Sequence, residues 1–260
     1  MAGFPIFDLH THTDFSDGRL SPSQVAEVAK SRGYGVGIAD HCGRGSFQIE
    51  SDEQLRRYLK VLEPLPVLRS VELDLGNEGL VSDELLGRCD YLIGGVHSLK
   101  FGGLRLDFFE PEAQLPPPRQ ILEEMLMAIK AGGRRFNFHI LAHPGLLPLA
   151  LRPYQDSLLD EEWDEKLIHL AGRYGFALEI SSRWRLPGPR TIEKARSRGV
   201  KFSLGSDGHD QEQICQLDYS LEMVERCRLG REDIFRPPHQ SRMEALSSPT
   251  APTVSFRSAP

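Results

Sequence analysis

Short apolar runs alternate with longer amphipathic stretches along most of this chain. Apolar runs closed by Gly, Pro, Asp or Ser predict buried strands, and apolar residues recurring at helical spacing predict helices. On that reading strands occupy 4–9, 36–39, 67–73, 91–96, 138–142, 176–180 and 200–204. Ser21-Pro22-Ser23-Gln24 opens a helix, with serine as N-cap and proline in the first turn, that runs to Arg32 and stops at Gly33. Further helices cover 52–63, 82–88, 121–131, 160–174, 191–198 and 214–226, with Gly132-Gly133 ending the one at 131. Between 100 and 120 the periodicity fails and Pro111, Pro116, Pro117 and Pro118 accumulate, which predicts a long loop.

Seven strands, nearly all separated by helices, give the βα pattern of an α/β protein built as a seven-stranded parallel barrel. Chemistry in such barrels sits at the C-terminal ends of the strands. From about Phe235 the chain is rich in Pro, Ser and Arg without an apolar period. The expected organisation is therefore one domain over 1–234 and a disordered tail over 235–260.

A net charge of -6 argues against a broad basic surface for long nucleic-acid duplexes. No apolar run approaches the roughly 18 to 20 residues needed to cross a bilayer, and the sequence enters a strand at once with no signal-like segment. Neither a membrane partner nor secretion is expected. The four cysteines, Cys42, Cys89, Cys215 and Cys227, form no CxxC pair, which suits reduced thiols in a cytoplasmic protein.

Chemistry concentrates where the strands end. The first closes on Asp8-Leu9-His10-Thr11-His12-Thr13, and two imidazoles one residue apart on extended backbone face the same way. Asp17 lies in the following turn, and later strands lead into His41, Glu72, His97, His143, Asp207 and His209. Imidazoles and carboxylates without thiolates suit Zn²⁺, Mn²⁺ or Fe²⁺. Nine ligands exceed what one ion takes and divide among two or three, with Glu72 as a bridge. Asp40 is read as orienting a neighbour, and His139, four residues before His143 on the same strand face but deeper, as a packed polar residue.

His10-Thr-His12, Ser16-Asp17-Gly18, Ala39-Asp40-His41, Val71-Glu72, Val96-His97-Ser98, Ala142-His143-Pro144 and Ser206-Asp207-Gly208-His209 together resemble the motifs of the PHP (polymerase and histidinol phosphatase) family, over about residues 4–226. The resemblance implies a distorted, TIM-like seven-stranded barrel with a trinuclear site. One ion would take His10, His12, Glu72 and Asp207; a second would share Glu72 and take His97 and His143; a third would take Asp17, His41 and His209. Some members carry histidine where Asp17 stands. The stretch Leu178-Glu179-Ile180-Ser181-Ser182, followed by Leu204-Gly205-Ser206-Asp207, resembles histidinol-phosphate phosphatases.

Arg183 and Arg185 follow the sixth strand, and an arginine fork suits phosphate oxygens. Trp184 between them is placed to wall the pocket or cap the barrel. The expected activity is hydrolysis of a small phosphate monoester by hydroxide generated at the metal cluster, with Glu72, Asp207 and His209 as the catalytic set. Asp207 or His209 would relay a proton to the leaving alkoxide. Histidinol phosphate is the leading named substrate. The alternatives are a nucleotide phosphatase, a 3′→5′ exonuclease on nucleic-acid ends, and a non-catalytic metal-stabilised interaction module. The absence of a GxSxG elbow argues against a serine nucleophile.

Overall fold

The computed structural model describes residues 4–111, 115–238 and 253–254. In chain order the elements are β1 (Phe4–Pro5), β2 (Phe7–Thr11), α1 (Pro22–Arg32), β3 (Gly35–Cys42), α2 (Asp52–Leu62), β4 (Leu68–Asp74), α3 (Asp83–Leu86), β5 (Ile93–Gly95), β6 (Ser98–Phe101) and β7 (Leu104–Asp107). Then follow α4 (Pro118–Phe136), β8 (Ile140–Leu141), α5 (Gln155–Leu158), α6 (Glu161–Tyr174), β9 (Ala177–Ser181), α7 (Pro189–Ser197), β10 (Phe202–Gly205), α8 (Asp218–Arg226) and β11 (Thr253–Val254). Short 3₁₀ turns span Leu149–Tyr154 and Arg231–Asp233.

Seven parallel strands run in the order β10-β9-β8-β5-β4-β3-β2. The two ends of this sheet meet through a parallel bridge between Thr11 and Gly208, with the His12 N–H donating to the Gly208 carbonyl at 2.9 Å. The sheet is thus a nearly closed barrel, as the alternation of strands and helices predicts. Asp8, fully buried, stitches the seam: it accepts hydrogen bonds from the Ser206 N–H (2.9 Å), the Ser206 hydroxyl (2.6 Å) and the Cys215 N–H (2.8 Å).

Apolar residues form two layers. Val36, Ile38 and Val71 on the outer face pack against Val25 of α1 and Leu55, Tyr58 and Leu59 of α2. Phe7, Leu9, Ala39, Leu68, Ile93, Ile140 and Ala177 fill the interior below the site. Strict alternation would turn His10 and His12 outward if Phe7 and Leu9 face inward. A register shift between Asp8 and Thr11 resolves the conflict, because the extra residue resets the alternation and delivers both histidines to the interior.

The starts of α1, α2, α3 and α6 fall within a residue of their expected places, whereas α4 begins at Pro118 rather than 121, α7 at Pro189 rather than 191 and α8 at Asp218 rather than 214. Ser21 caps α1 and Ser51 caps α2, each in a capping box with a glutamine three residues on, and Asp160 caps α6. Three expectations need correction. The stretch expected as one long loop contains the antiparallel hairpin β6–β7, turning at Gly102 with φ of 60°. Helix α4 does not stop at Gly132-Gly133 but continues to Phe136. A Cβ at Gly132 would lie 2.6 Å from Leu75 and one at Gly133 would lie 2.9 Å from Tyr174, so these glycines permit close packing rather than end the helix. Finally, Phe235 is anchored, not part of a free tail: its N–H donates to the Phe202 carbonyl at 2.8 Å and its ring packs near Tyr91 and His139. The remainder of the expected tail lies outside the described residues, apart from Thr253–Val254, which pairs with Phe4–Pro5. Among the described residues, no helix is long and apolar enough to cross a membrane.

Candidate metal centre

All nine residues drawn from the strand ends converge at one end of the barrel. Glu72, at the end of β4, stands at the centre with its side chain 1% exposed. Its Oε2 lies 3.0 Å from His41 Nδ1 and 3.3 Å from His10 Nε2, while Oε1 lies 3.2 Å from His143 Nε2 and 3.3 Å from His97 Nε2. His12 Nε2 is 3.1 Å from both His10 Nε2 and Asp207 Oδ1. Nearer the mouth, Asp17 faces His209 Nε2 at 3.2 Å and His41 Nε2 at 3.6 Å. Asp17 is 41% exposed, so the cluster grades from a dry floor at Glu72 to a wet rim.

Ligand atoms come within 4.8 Å of one another in three overlapping groups: His12, Asp17, His41 and His209; His10, His12 and Glu72; and His41, Glu72 and His97. The division implied by the resemblance differs in detail. His12 also reaches the outer group, and His41 spans Asp17 and Glu72 through its two ring nitrogens.

The donor set fits divalent cations on a structural ground. Both Glu72 oxygens and His41 Nδ1 are buried and make no hydrogen bond. Buried polar atoms left without partners are costly, and a cation shared among them removes the cost. Burial would push Glu72 up, yet His97, His10 and His41 around it hold it well below the ordinary carboxylate range. Burial would likewise lower His41, but Glu72 and Asp17 raise it to about 9. Burial, together with His209 and His41 beside it, lowers His12 to about 3. Anionic carboxylates among crowded imidazoles are the electrostatics of a cation site.

A set of buried carboxylates orients the candidate ligands. Glu179 Oε1 lies 2.8 Å from His10 Nδ1, and its Oε2 accepts the His143 N–H at 2.6 Å. Asp74 Oδ1 lies 3.3 Å from His97 Nδ1. Asp40 accepts from the Thr13 N–H, the Thr13 hydroxyl and the Ser16 hydroxyl, so it fixes the turn that carries Asp17. Trp184 donates its indole N–H to Asp207 Oδ2 at 2.6 Å. His143 and Asp207 both hold positive φ, 28° and 51°, the kind of backbone strain found where side-chain placement is constrained by function. Both Glu179 and Asp74 stand in stretches of the sequence that resemble the family, but nothing in the sequence assigns either a role. His139 is a packed polar residue as expected, its Nδ1 accepting the Leu92 N–H at 3.0 Å.

The two arginines after β9 part company. Arg183 turns to the site, with Nη1 3.0 Å from the Asp207 carbonyl and 2.7 Å from His209 Nδ1. Arg185 does not join the cluster: its guanidinium lies over the Tyr219 ring and 3.6 Å from Glu222. Helix α8 therefore captures it. In its stead Arg152, from the 3₁₀ turn, reaches the mouth and stacks on both Trp184 and Phe109. Nothing in its sequence neighbourhood marked it.

Comparison with known proteins bears on the family and the fold. The DNA polymerase/3′-5′ exonuclease PolX of Bacillus subtilis (strain 168) is 27% identical over 222 residues, 80% of this chain and 35% of that protein. The chain thus spans about a third of the length of the curated relative it matches. Among solved structures, a candidate histidinol phosphatase of Listeria monocytogenes superposes with a TM-score of 0.62 at 16% identity, covering 81% of this chain and 97% of that one. Histidinol phosphate phosphatase of Lactococcus lactis, complexed with zinc, L-histidinol and phosphate, gives 0.59 at 14% identity, covering 85% and 93%. These two share the fold. The PHP domain family profile matches residues 8–183, and the chain belongs to the PHP domain family.

Proposed function

We propose that this protein is a metal-dependent phosphomonoesterase whose cluster is held by His10, His12, Asp17, His41, Glu72, His97, His143, Asp207 and His209. The observation that carries the reading is Glu72, a buried carboxylate with both oxygens unbonded and four imidazoles around it. Two or three ions of Zn²⁺, Mn²⁺ or Fe²⁺ would supply Lewis acidity toward phosphate oxygens and lower the pKa of water.

The chain's own residues do the rest. Arg183 Nη1 is engaged with the Asp207 carbonyl at 3.0 Å and His209 Nδ1 at 2.7 Å, which aims the guanidinium at the site and leaves its other N–H groups for a phosphate oxygen. Trp184 pins Asp207 through its indole N–H. Asp207 or His209 would relay a proton to the leaving oxygen; His209 is the more exposed of the two, 16% against 6%. Four buried, unpaired thiols suit a cytoplasmic setting.

Histidinol phosphate is the first named substrate to test, because both structural neighbours carry histidinol phosphatase names and because of the 178–182 motif. A second reading, 3′→5′ exonuclease, is favoured by the name of the curated relative. The experiment is to purify the protein without chelator, count metals per chain, and assay a monoester panel with added Mn²⁺ or Zn²⁺. Two to three metals and one preferred monoester support the first reading. Metals with no monoester turnover but release of nucleotides from labelled DNA or RNA ends support the second, with binding that falls steeply with salt.

A further inference from the structure

Phe109 is 45% exposed beside the cluster, its ring 6.1 Å from that of His97 and 6.0 Å from that of Trp184. A lone exposed phenylalanine is ordinary. This one is held in place. Its neighbour Phe108 is fully buried, and the Phe108 N–H donates to the His97 carbonyl at 2.9 Å. The Phe108 carbonyl accepts the Leu149 N–H at 3.0 Å and Arg152 Nη2 at 2.9 Å. Arg152 in turn stacks on Phe109 (5.3 Å) and Trp184 (4.8 Å), and among the described residues no carboxylate pairs with it. The mouth thus carries a fixed aromatic face next to a metal ligand, backed by an unneutralised guanidinium.

We propose that Phe109, backed by Arg152 and Trp184, is a specificity-determining subsite that selects phosphate monoesters whose leaving group bears an aromatic or heteroaromatic ring. The inference rests on the phosphomonoesterase reading. A phosphate held at Arg183 and the cluster leaves its ester arm directed to the mouth, where a planar ring meets a ring face and an aliphatic arm meets less contact area. The arginine behind the wall holds the Phe109 and Trp184 rings in place by stacking on both.

The test compares benzyl phosphate with propyl phosphate, whose leaving alcohols have similar acidity, and compares binding of benzylphosphonate and propylphosphonate by tryptophan fluorescence in the metal-loaded protein. The wild type should favour the benzyl member about tenfold in kcat/KM and in affinity. Phe109→Ala should cut that preference to about twofold or less, because the benzyl compounds lose about fivefold more than the propyl ones, and Phe109→Trp should keep it. Equal handling of both pairs by the wild type, or a preference that survives Phe109→Ala, overturns the subsite and leaves the phosphomonoesterase reading standing. Hydrolysis of neither ester, with neither phosphonate bound, overturns both.

Discussion

Glu179 and His10 are bound through the face of the imidazole that points away from the cluster: Oε1 lies 2.8 Å from Nδ1, while Nε2 of the same ring faces Glu72 at 3.3 Å. The second Glu179 oxygen accepts the His143 N–H, so one buried carboxylate fixes a candidate ligand from β2 and the backbone of another after β8. A carboxylate behind a histidine sets its tautomer and raises its basicity toward a metal. Glu179→Gln should therefore lower metal affinity by about 10- to 100-fold with little change in helix content. Competition with a fluorescent chelator measures it, and unchanged affinity would assign Glu179 a packing role only.

Asp8 closes the barrel rather than serving the metals. Asp8→Ala leaves the Ser206 and Cys215 N–H groups without their acceptor at the seam. The expected loss is about 3 kcal/mol, or roughly 10 °C in Tm for a domain of this size. Asp8→Asn should lose less, since one amide oxygen still accepts. A thermal shift below 2 °C for Asp8→Ala, well under the roughly 10 °C expected, would count against this reading of the seam.

The arginines should separate kinetically. Arg183→Ala is expected to raise KM for any monoester about tenfold or more, as loss of a charge-assisted phosphate contact does. Arg185→Ala should leave KM within about twofold, because its side chain is engaged with Tyr219 and Glu222. The reverse order in steady-state kinetics would mean that the loop after β9 turns over when substrate binds.

Metal uptake should depend steeply on pH. The imidazoles must be neutral to bind a cation, and their carboxylate neighbours favour the protonated ring: His41 is raised to about 9 and His97 well above its ordinary value, against burial in both cases. A raised imidazole pKa stabilises the metal-free fold at low pH and loses that contribution as pH rises through the raised value. Affinity should therefore keep climbing between pH 6.5 and 9, with protons released on binding. Flat affinity across that interval in a chelator titration would contradict the coupling.

The candidate ligands were legible in the sequence because all but Asp17, which lies in a turn, close or follow an apolar run, and a barrel brings every such end to one place. The supporting contacts were not, because they join residues far apart in the chain; Glu179 and His10 are 169 positions apart. The bulge in β2 escaped as well, since alternation alone favours either Phe7 and Leu9 or His10 and His12 inside, never both. The hairpin β6–β7 hid among glycines and charges, and with it the fixed position of Phe109. Arg152 reaches the mouth only through the 3₁₀ turn after β8, which carries no periodic signal.

Glu72 offers the most direct test of the central claim, because the cluster converges on it. Metal content by mass spectrometry and turnover of the preferred monoester should be measured together on Glu72→Ala, with circular dichroism as a check of the fold. The account predicts a folded variant that loses at least one ion per chain and about 10³-fold or more in kcat/KM. A folded variant with full metal content and an undiminished rate would contradict it.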